Sequence, residues 1–243
     1  SHASIATAHS LFNIGCTALL LPAAGLLEKL AYKLVPDTQA PSKITMLDER
    51  LLATPAIALE RSRALSAEMA ERAISALKDA LKCLLVYSPE KLEPIRQAED
   101  FTDSCEDEIG AYLVKLSSGR LSDAHSAEAA SLLKIIGDLE RIGDHAVNLA
   151  ESAEEMQQKH ISLTGGAEEE LTNLCKAISE ILDLTHRAFV EQDMIAAATV
   201  EPLEEVIDKL KEKYRSSHIK RLQKGTCTIE AGFVWSDILT DLE

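Results

Sequence analysis

Two acidic residues one helical turn apart, Glu140 and Asp144, are the residues of this chain best suited to chemistry. They lie in the stretch Asp-Leu-Glu-Arg-Ile-Gly-Asp-His that begins at Asp138. On an α-helix, positions i and i+4 share one face, so the two carboxylates would repel each other unless a cation lay between them. Carboxylate oxygens suit hard or borderline ions such as magnesium, calcium, manganese, iron or zinc. The pair therefore indicates either solvated surface charge or metal ligands.

The same acidic spacing recurs in two matching sets, and each set places one pair ahead of an Asp-Leu-Glu motif. The last residues, 237–243, run parallel to residues 134–140, so the chain ends in a second copy of the motif. The Asp that would complete this copy is missing, which predicts that the chain is a fragment. The candidate metal ligands are Glu99, Asp103, Glu140 and Asp144 in the first set and Glu204, Asp208 and Glu243 in the second.

A single Glu-x-x-x-Asp pair is more often solvated than bound to metal, because most charged helix positions face water. The repetition in register is what favours a metal site. The open alternative is a metal-free interaction module whose acidic pairs contact a basic partner surface. His145 points about 100° away from Asp144 on a helix, so we expect a surface or capping histidine there.

No signature of an enzyme accompanies the carboxylates. The Glu-x-x-His spacing of ferritin-like di-metal enzymes is absent. Glycine-rich nucleotide loops and the nucleophile elbow of hydrolases are absent too. The sequence therefore predicts a chain that is not an enzyme.

Apolar residues at a three-four spacing predict six long helices that would carry these pairs. Two groups of three helices, separated by Gly165-Gly166, predict an all-α fold of two pseudo-symmetric antiparallel three-helix bundles. The predicted helices cover about 56–87, 89–116, 123 onward, a fourth stretch after the Gly165-Gly166 break, 194–223 and 229 onward.

The segment before the bundles has the character of a membrane span. Residues 5–27 contain no Asp, Glu, Lys or Arg, and about 20 apolar residues cross a bilayer. Lys29 and Lys33 follow, which by the positive-inside bias places the chain after about residue 28 in the cytoplasm. A buried helix of a soluble protein is the alternative. The predicted organisation is 1–34 apolar membrane helix, 35–54 linker, 55–163 first bundle and 164–243 second, truncated bundle.

Composition narrows the class of partner. The net charge of −15 would repel a phosphate backbone, so nucleic acid is excluded as a partner. Five scattered cysteines without a Cys-x-x-Cys motif favour neither a disulfide framework nor a thiolate metal site. A basic cluster late in the fifth helix is interpreted as exposed cations near a helix C-terminus. Its members are Arg215, His218, Lys220, Arg221 and Lys224.

Residues 138–151 resemble the signature helix of the PhoU family. Residues 215–228, with the Asp-Leu-Glu ending, resemble the PhoU domain fused behind bacterial sodium/phosphate cotransporters, and residues 3–14 resemble the closing membrane segment of those transporters. The resemblance implies two three-helix bundles whose Glu/Asp-x-x-x-Asp motifs hold a metal ion, iron or zinc.

The resemblance also implies a function and a location. It implies a cytoplasmic regulatory domain of a sodium-dependent phosphate transporter, which controls phosphate uptake at the inner membrane. The implied partners are the transporter membrane domain of the same chain and, through the full-length transporter, phosphate and sodium. Assembly into a homo-oligomer is left open.

Overall fold

The computed structural model describes residues 9, 10, 12–14, 17, 46–163 and 166–242. From residue 46 onward the described chain contains six α-helices and no β-strand, which confirms the all-α prediction. The helices are α1 Pro55–Leu85, α2 Leu92–Ser117, α3 Asp123–Gln158, α4 Ala167–Val190, α5 Met194–Gln223 and α6 Ile229–Asp241.

Local sequence fixes where these helices begin. Pro55 occupies the first turn of α1, where its missing N–H is not needed for the helix. The side chains of Ser122, Asp193 and Thr228 each accept a hydrogen bond from a backbone N–H in the first turn of α3, α5 and α6. Such caps satisfy donors that the helix itself leaves free. The predicted bounds of α5, 194–223, agree with the structure.

The end of the predicted linker 35–54 is folded onto the helices, which is a departure from the prediction. Residues Glu49–Ala53 form a short 3-10 helix, and Leu47 is buried. The N–H of Leu47 donates to Glu108 Oε1 at 2.7 Å, and the hydroxyl of Tyr112 donates to the carbonyl of Asp48 at 3.1 Å. Residues from Met46 onward therefore belong to the compact helical unit, because α2 supplies hydrogen-bond partners and an apolar surface for them.

Two apolar cores hold the helices together. The first core lies between the N-terminal part of α1, the C-terminal part of α2 and the N-terminal part of α3. Among its fully buried members are Leu59, Met69, Ile109, Leu113 and Ile136. The second core joins the C-terminal parts of α1 and α3 to α4, α5 and α6. Among its fully buried members are Leu149, Leu171, Leu174, Trp235 and Ile238.

The predicted membrane span at residues 5–27 lies outside the described residues except at positions 9, 10, 12–14 and 17. Within the part of the chain that the structure covers, no helix is both long enough and apolar enough to cross a bilayer.

Candidate functional site

The predicted ligands of the first set lie on both sides of a close contact between α2 and α3. A Cβ at Gly143 would lie 2.5 Å from Thr102 Oγ1 and 3.6 Å from the Cα of Glu99. Thr102 is buried, and its hydroxyl donates to the carbonyl of Glu99 at 2.9 Å. A side chain at position 143 would clash with the Thr102 hydroxyl, so glycine leaves the space that this hydroxyl occupies. The close contact places Glu99 of α2 beside the turn of α3 that carries Glu140 and Asp144.

Glu99 and Asp103 of α2, with Glu140 and Asp144 of α3, form what we call the acidic seam. The carboxylates of this seam repel one another. Burial, together with the nearby charges of Asp100, Asp144 and Asp103, raises the pKa of the Glu99 carboxyl above its usual value. Burial also raises the pKa of Glu140, and the carboxylate of Asp144 adds to the effect by its charge and by a shared hydrogen bond. Weaker contributions to the Glu140 pKa come from Glu106 and Asp103. The four predicted ligands of the first set therefore lie within one negative field.

The Lys and Arg residues that the structure describes do not neutralise this seam. Among the described residues, no Lys or Arg forms an ion pair with Glu99, Asp103, Glu140 or Asp144. Glu99, Glu140 and Asp144 are half-buried, whereas Asp103 is exposed, so a solvent cation can reach them. In the same part of the chain, no three His, Cys, Asp or Glu side chains already converge on one point that could hold a metal ion. The donor set, all oxygen and anionic, fits a hard or borderline cation.

Of the second set of predicted ligands, the structure describes Glu204 and Asp208. Glu204 and Asp208 are exposed on α5, and Asp208 Oδ1 lies 3.4 Å from the ammonium group of Lys211. Glu243 lies outside the described residues.

His145 links the two halves instead of pointing freely into solvent. Its Nδ1 lies 3.4 Å from Oδ1 of Asp241 on α6, and the amide of Asn148 donates to the same oxygen at 3.2 Å. The expected surface or capping histidine is thus half-buried in a contact between α3 and α6. Asp241 is the first residue of the second Asp-Leu-Glu motif, so the repeated motif itself forms this contact.

The interpretation of the basic cluster as exposed cations is wrong for His218 and Arg221. Both are buried, and Arg221 forms an ion pair of 2.8 Å with Glu170 in the first turn of α4. Lys211, which lies outside the predicted cluster, is buried as well. The sequence signal that could have identified these buried residues is the side of the helix on which they lie. These positions continue the stripe of Ile207 and Tyr214 at three-four spacing, which faces the core.

Comparison with known proteins agrees with the fold. The family model "PhoU domain" matches residues 67–153, which include Glu99, Asp103, Glu140 and Asp144. The crystal structure of PhoU from Pseudomonas aeruginosa superposes with a TM-score of 0.61 at 20% identity, over 79% of this chain and 88% of that one. At this identity the similarity concerns the fold.

Two relatives are similar in sequence. One is "Phosphate-specific transport system accessory protein PhoU homolog 1" of Thermotoga maritima, 26% identical over 169 residues, which are 69% of this chain and 72% of the relative. The other is an uncharacterized protein of Deinococcus radiodurans, 32% identical over 129 residues, which are 52% of this chain and 46% of the relative. Residues 67–153 therefore resemble a PhoU domain, and the fold resembles that of the Pseudomonas aeruginosa protein.

Proposed function

We propose that this chain is a regulatory domain of a sodium-dependent phosphate transporter, and that it binds a metal ion, iron or zinc, through the acidic pairs of its first half. The observation that carries the proposal is the seam between α2 and α3, where Glu99 and Glu140 have raised pKa values beside Asp103 and Asp144. The Thermotoga maritima relative, named as an accessory protein of phosphate-specific transport, supports the transport role.

The metal part of the proposal follows from the repulsion in the seam. At neutral pH the carboxylates of Glu140 and Asp144 are close enough to raise the pKa of Glu140, so the seam gains stability from any cation that it holds. A bound ion would supply the missing positive charge. Glu99 and Asp103 would bind it from α2, and Glu140 and Asp144 from α3. The ion would thereby tie the two helices together.

Metal binding is tested by a paired substitution with a matched control. The purified chain is treated with chelator, titrated with iron(III) or zinc, and analysed by calorimetry and elemental analysis. We expect Glu140→Gln combined with Asp144→Asn to abolish binding. Glu151→Gln combined with Glu155→Gln removes the same charge at the same spacing on α3, outside the seam, and should bind metal like the unaltered chain. Equal binding by both double variants would disprove the seam as the site.

The transport role needs a cellular readout. In a host whose own PhoU homologue is deleted, the chain should change the rate of phosphate uptake, and the Glu140→Gln, Asp144→Asn variant should lose this effect while remaining folded. An unchanged uptake rate with the unaltered chain, in the presence and absence of sodium, would contradict the role.

The open seam also favours a second candidate function, binding of a basic protein surface, because no described cation neutralises its carboxylates. Salt and chelator distinguish the two candidates. Binding to a basic partner should weaken as salt is raised and should ignore chelator. Metal-dependent regulation should instead be lost when chelator is added and should not depend on salt.

A further inference from the structure

The second core contains polar side chains at positions where the first core is apolar. Aligning Glu99 with Glu204 and Asp138 with Asp241 places the sequences of the two three-helix units in one register. In this register three leucines of the first half correspond to a histidine, an arginine and a tryptophan of the second, and all six side chains are buried. The corresponding pairs are Leu113 with His218, Leu116 with Arg221 and Leu132 with Trp235.

The three second-half side chains pack against one another at the end of the second core. The rings of His218 and Trp235 lie 6.5 Å apart between centroids, with a tilt of 40°. The guanidinium carbon of Arg221 lies 5.5 Å from the centre of the Trp235 ring. A Cβ at Gly232 of α6 would come within 3.4 Å of the His218 ring, so α5 and α6 touch directly at this histidine.

The His218 cluster, meaning His218, Arg221, Trp235 and Glu170, is short of hydrogen-bond acceptors. Nε and Nη2 of Arg221 and Nε1 of Trp235 are buried without a hydrogen-bond partner. The carboxylate of Glu170 lies 2.8 Å from the guanidinium, yet its Oε2 does not have hydrogen-bond geometry. Buried donors without acceptors carry a desolvation cost, so this part of the core is held less firmly than its apolar counterpart.

We propose that the His218 cluster is a pH-sensitive joint, at which acidification loosens α6 from the C-terminal end of α5. The inference goes beyond the proposed function and does not depend on it. A protonated His218 would be a second buried cation beside Arg221, and Glu170 of α4 would be the carboxylate available to both. The residues of α6 that contact His218, Trp235 and Gly232, carry no charge.

The sign of the pH effect depends on which form of the contact, closed or loosened, gives His218 the higher pKa. Burial and the charge of Arg221 lower the pKa of His218 in the closed structure, and Glu170 opposes them only in part. An exposed histidine has a pKa of about 6.5, so the loosened form takes up the proton first. The closed contact is therefore fully stable above about pH 6.5 and weakens as the pH falls below that value.

Trp235 reports on this joint directly, because it is the single tryptophan of the chain and is buried. The full chain is titrated from pH 8 to pH 5 while the emission maximum of tryptophan is followed, with amide hydrogen exchange of α6 as the second readout. We expect a reversible shift to longer wavelength with a midpoint below about 6.5, and faster exchange of α6 over the same range.

His218→Gln should abolish both changes, whereas His186→Gln, on α4 of the same half, should behave like the unaltered chain. If circular dichroism at pH 8 shows that His218→Gln is unfolded, His218→Leu, which reproduces Leu113, takes its place. No emission shift in the unaltered chain would overturn the proposal. So would a shift that persists without His218, or one that disappears only in Glu140→Gln, which would assign it to the carboxylate seam.

Discussion

The two halves of this molecule share one helix order but keep their charges in different places. The first half has an apolar core and gathers its acidic residues at the margin, where Glu140 and Asp144 remain open to solvent. The second half leaves Glu204 and Asp208 exposed and buries Arg221 in its core. Charge at a margin can be satisfied by a cation from solution, whereas charge in a core must be satisfied by the protein itself. The two halves therefore place charged side chains differently within the same helix order.

The largest expected change in the free energy of unfolding comes from a substitution that makes the second core resemble the first. Arg221→Leu introduces the side chain that the first half has at position 116, but it leaves the largely buried carboxylate of Glu170 without its partner. Breaking a buried pair in this way costs about 3 kcal/mol. Urea unfolding should show this loss.

The double variant Arg221→Leu, Glu170→Leu serves as the control for that experiment. Removing both charges together should restore most of the free energy of unfolding, since no unpaired charge is then left in the core. If the double variant is as unstable as the single one, the ion pair is not the cause and the contrast between the two cores loses its physical basis.

A substitution at the close helix contact tests the first half. Gly143→Ala places a methyl group against the hydroxyl of Thr102 and should lower the free energy of unfolding by about 1–3 kcal/mol. Gly137→Ala, on the same helix with nothing within 4 Å of the added atom, should instead stabilise the chain by about 0.5–1 kcal/mol. Adding Thr102→Ala to Gly143→Ala should recover stability. Equal thermal midpoints for both glycine variants would contradict the close contact.

The contact between the halves has a smaller expected effect. Asp241→Ala removes the acceptor of Asn148 and the partner of His145, and a hydrogen bond of this kind contributes about 1 kcal/mol. Asp237→Ala, one turn earlier on the exposed face of α6, should leave the unfolding midpoint unchanged. A matching loss in both variants would show that the halves are not joined here.

The smallest expected change in the free energy of unfolding is at the acidic seam. There the substitution should stabilise the chain instead of destabilising it. Glu140→Gln should stabilise the chain at pH 7 by roughly 0.5 kcal/mol, because it removes a like-charge pair. The pKa of Glu140 is raised in the folded chain, so its ionisation costs stability as the pH rises through that value. The advantage of Gln should therefore shrink as the pH falls towards 4, where Glu140 is protonated in both states. Thermal denaturation at several pH values measures this, with Glu151→Gln as a variant that should show no such trend.

Much of the fold could be predicted from the sequence because its boundaries are local. Ser88-Pro89 and the cap at Asp193 act within one turn of chain, so the ends of α1 and the start of α5 follow from neighbouring residues. Whether the first acidic set holds a metal ion stays a prediction from the repeat. The packing of residues 46–54 onto α2 was not predicted, because Leu47 finds its partner Glu108 far along the chain.

The burial of Arg221 was also not predicted from the sequence, and the reason is physical. Near the end of a helix a cation is favoured by the helix dipole, so Arg221 has a satisfactory exposed interpretation from the sequence alone. Deciding against that interpretation requires the position of Glu170 on another helix. The repeat carries part of the missing signal, since Leu116 occupies the same place in the first half.

Helix α1 has a consequence for how the whole domain responds to force or heat. It is one 31-residue rod, with Leu59 and Met69 in the first core and Leu81 and Leu84 in the second. Rotating or sliding such a rod displaces side chains at both of its ends at once. Mechanical load applied to one half is thereby transmitted to the other without any change in the connecting loops. We expect the domain to yield as one cooperative unit in single-molecule pulling.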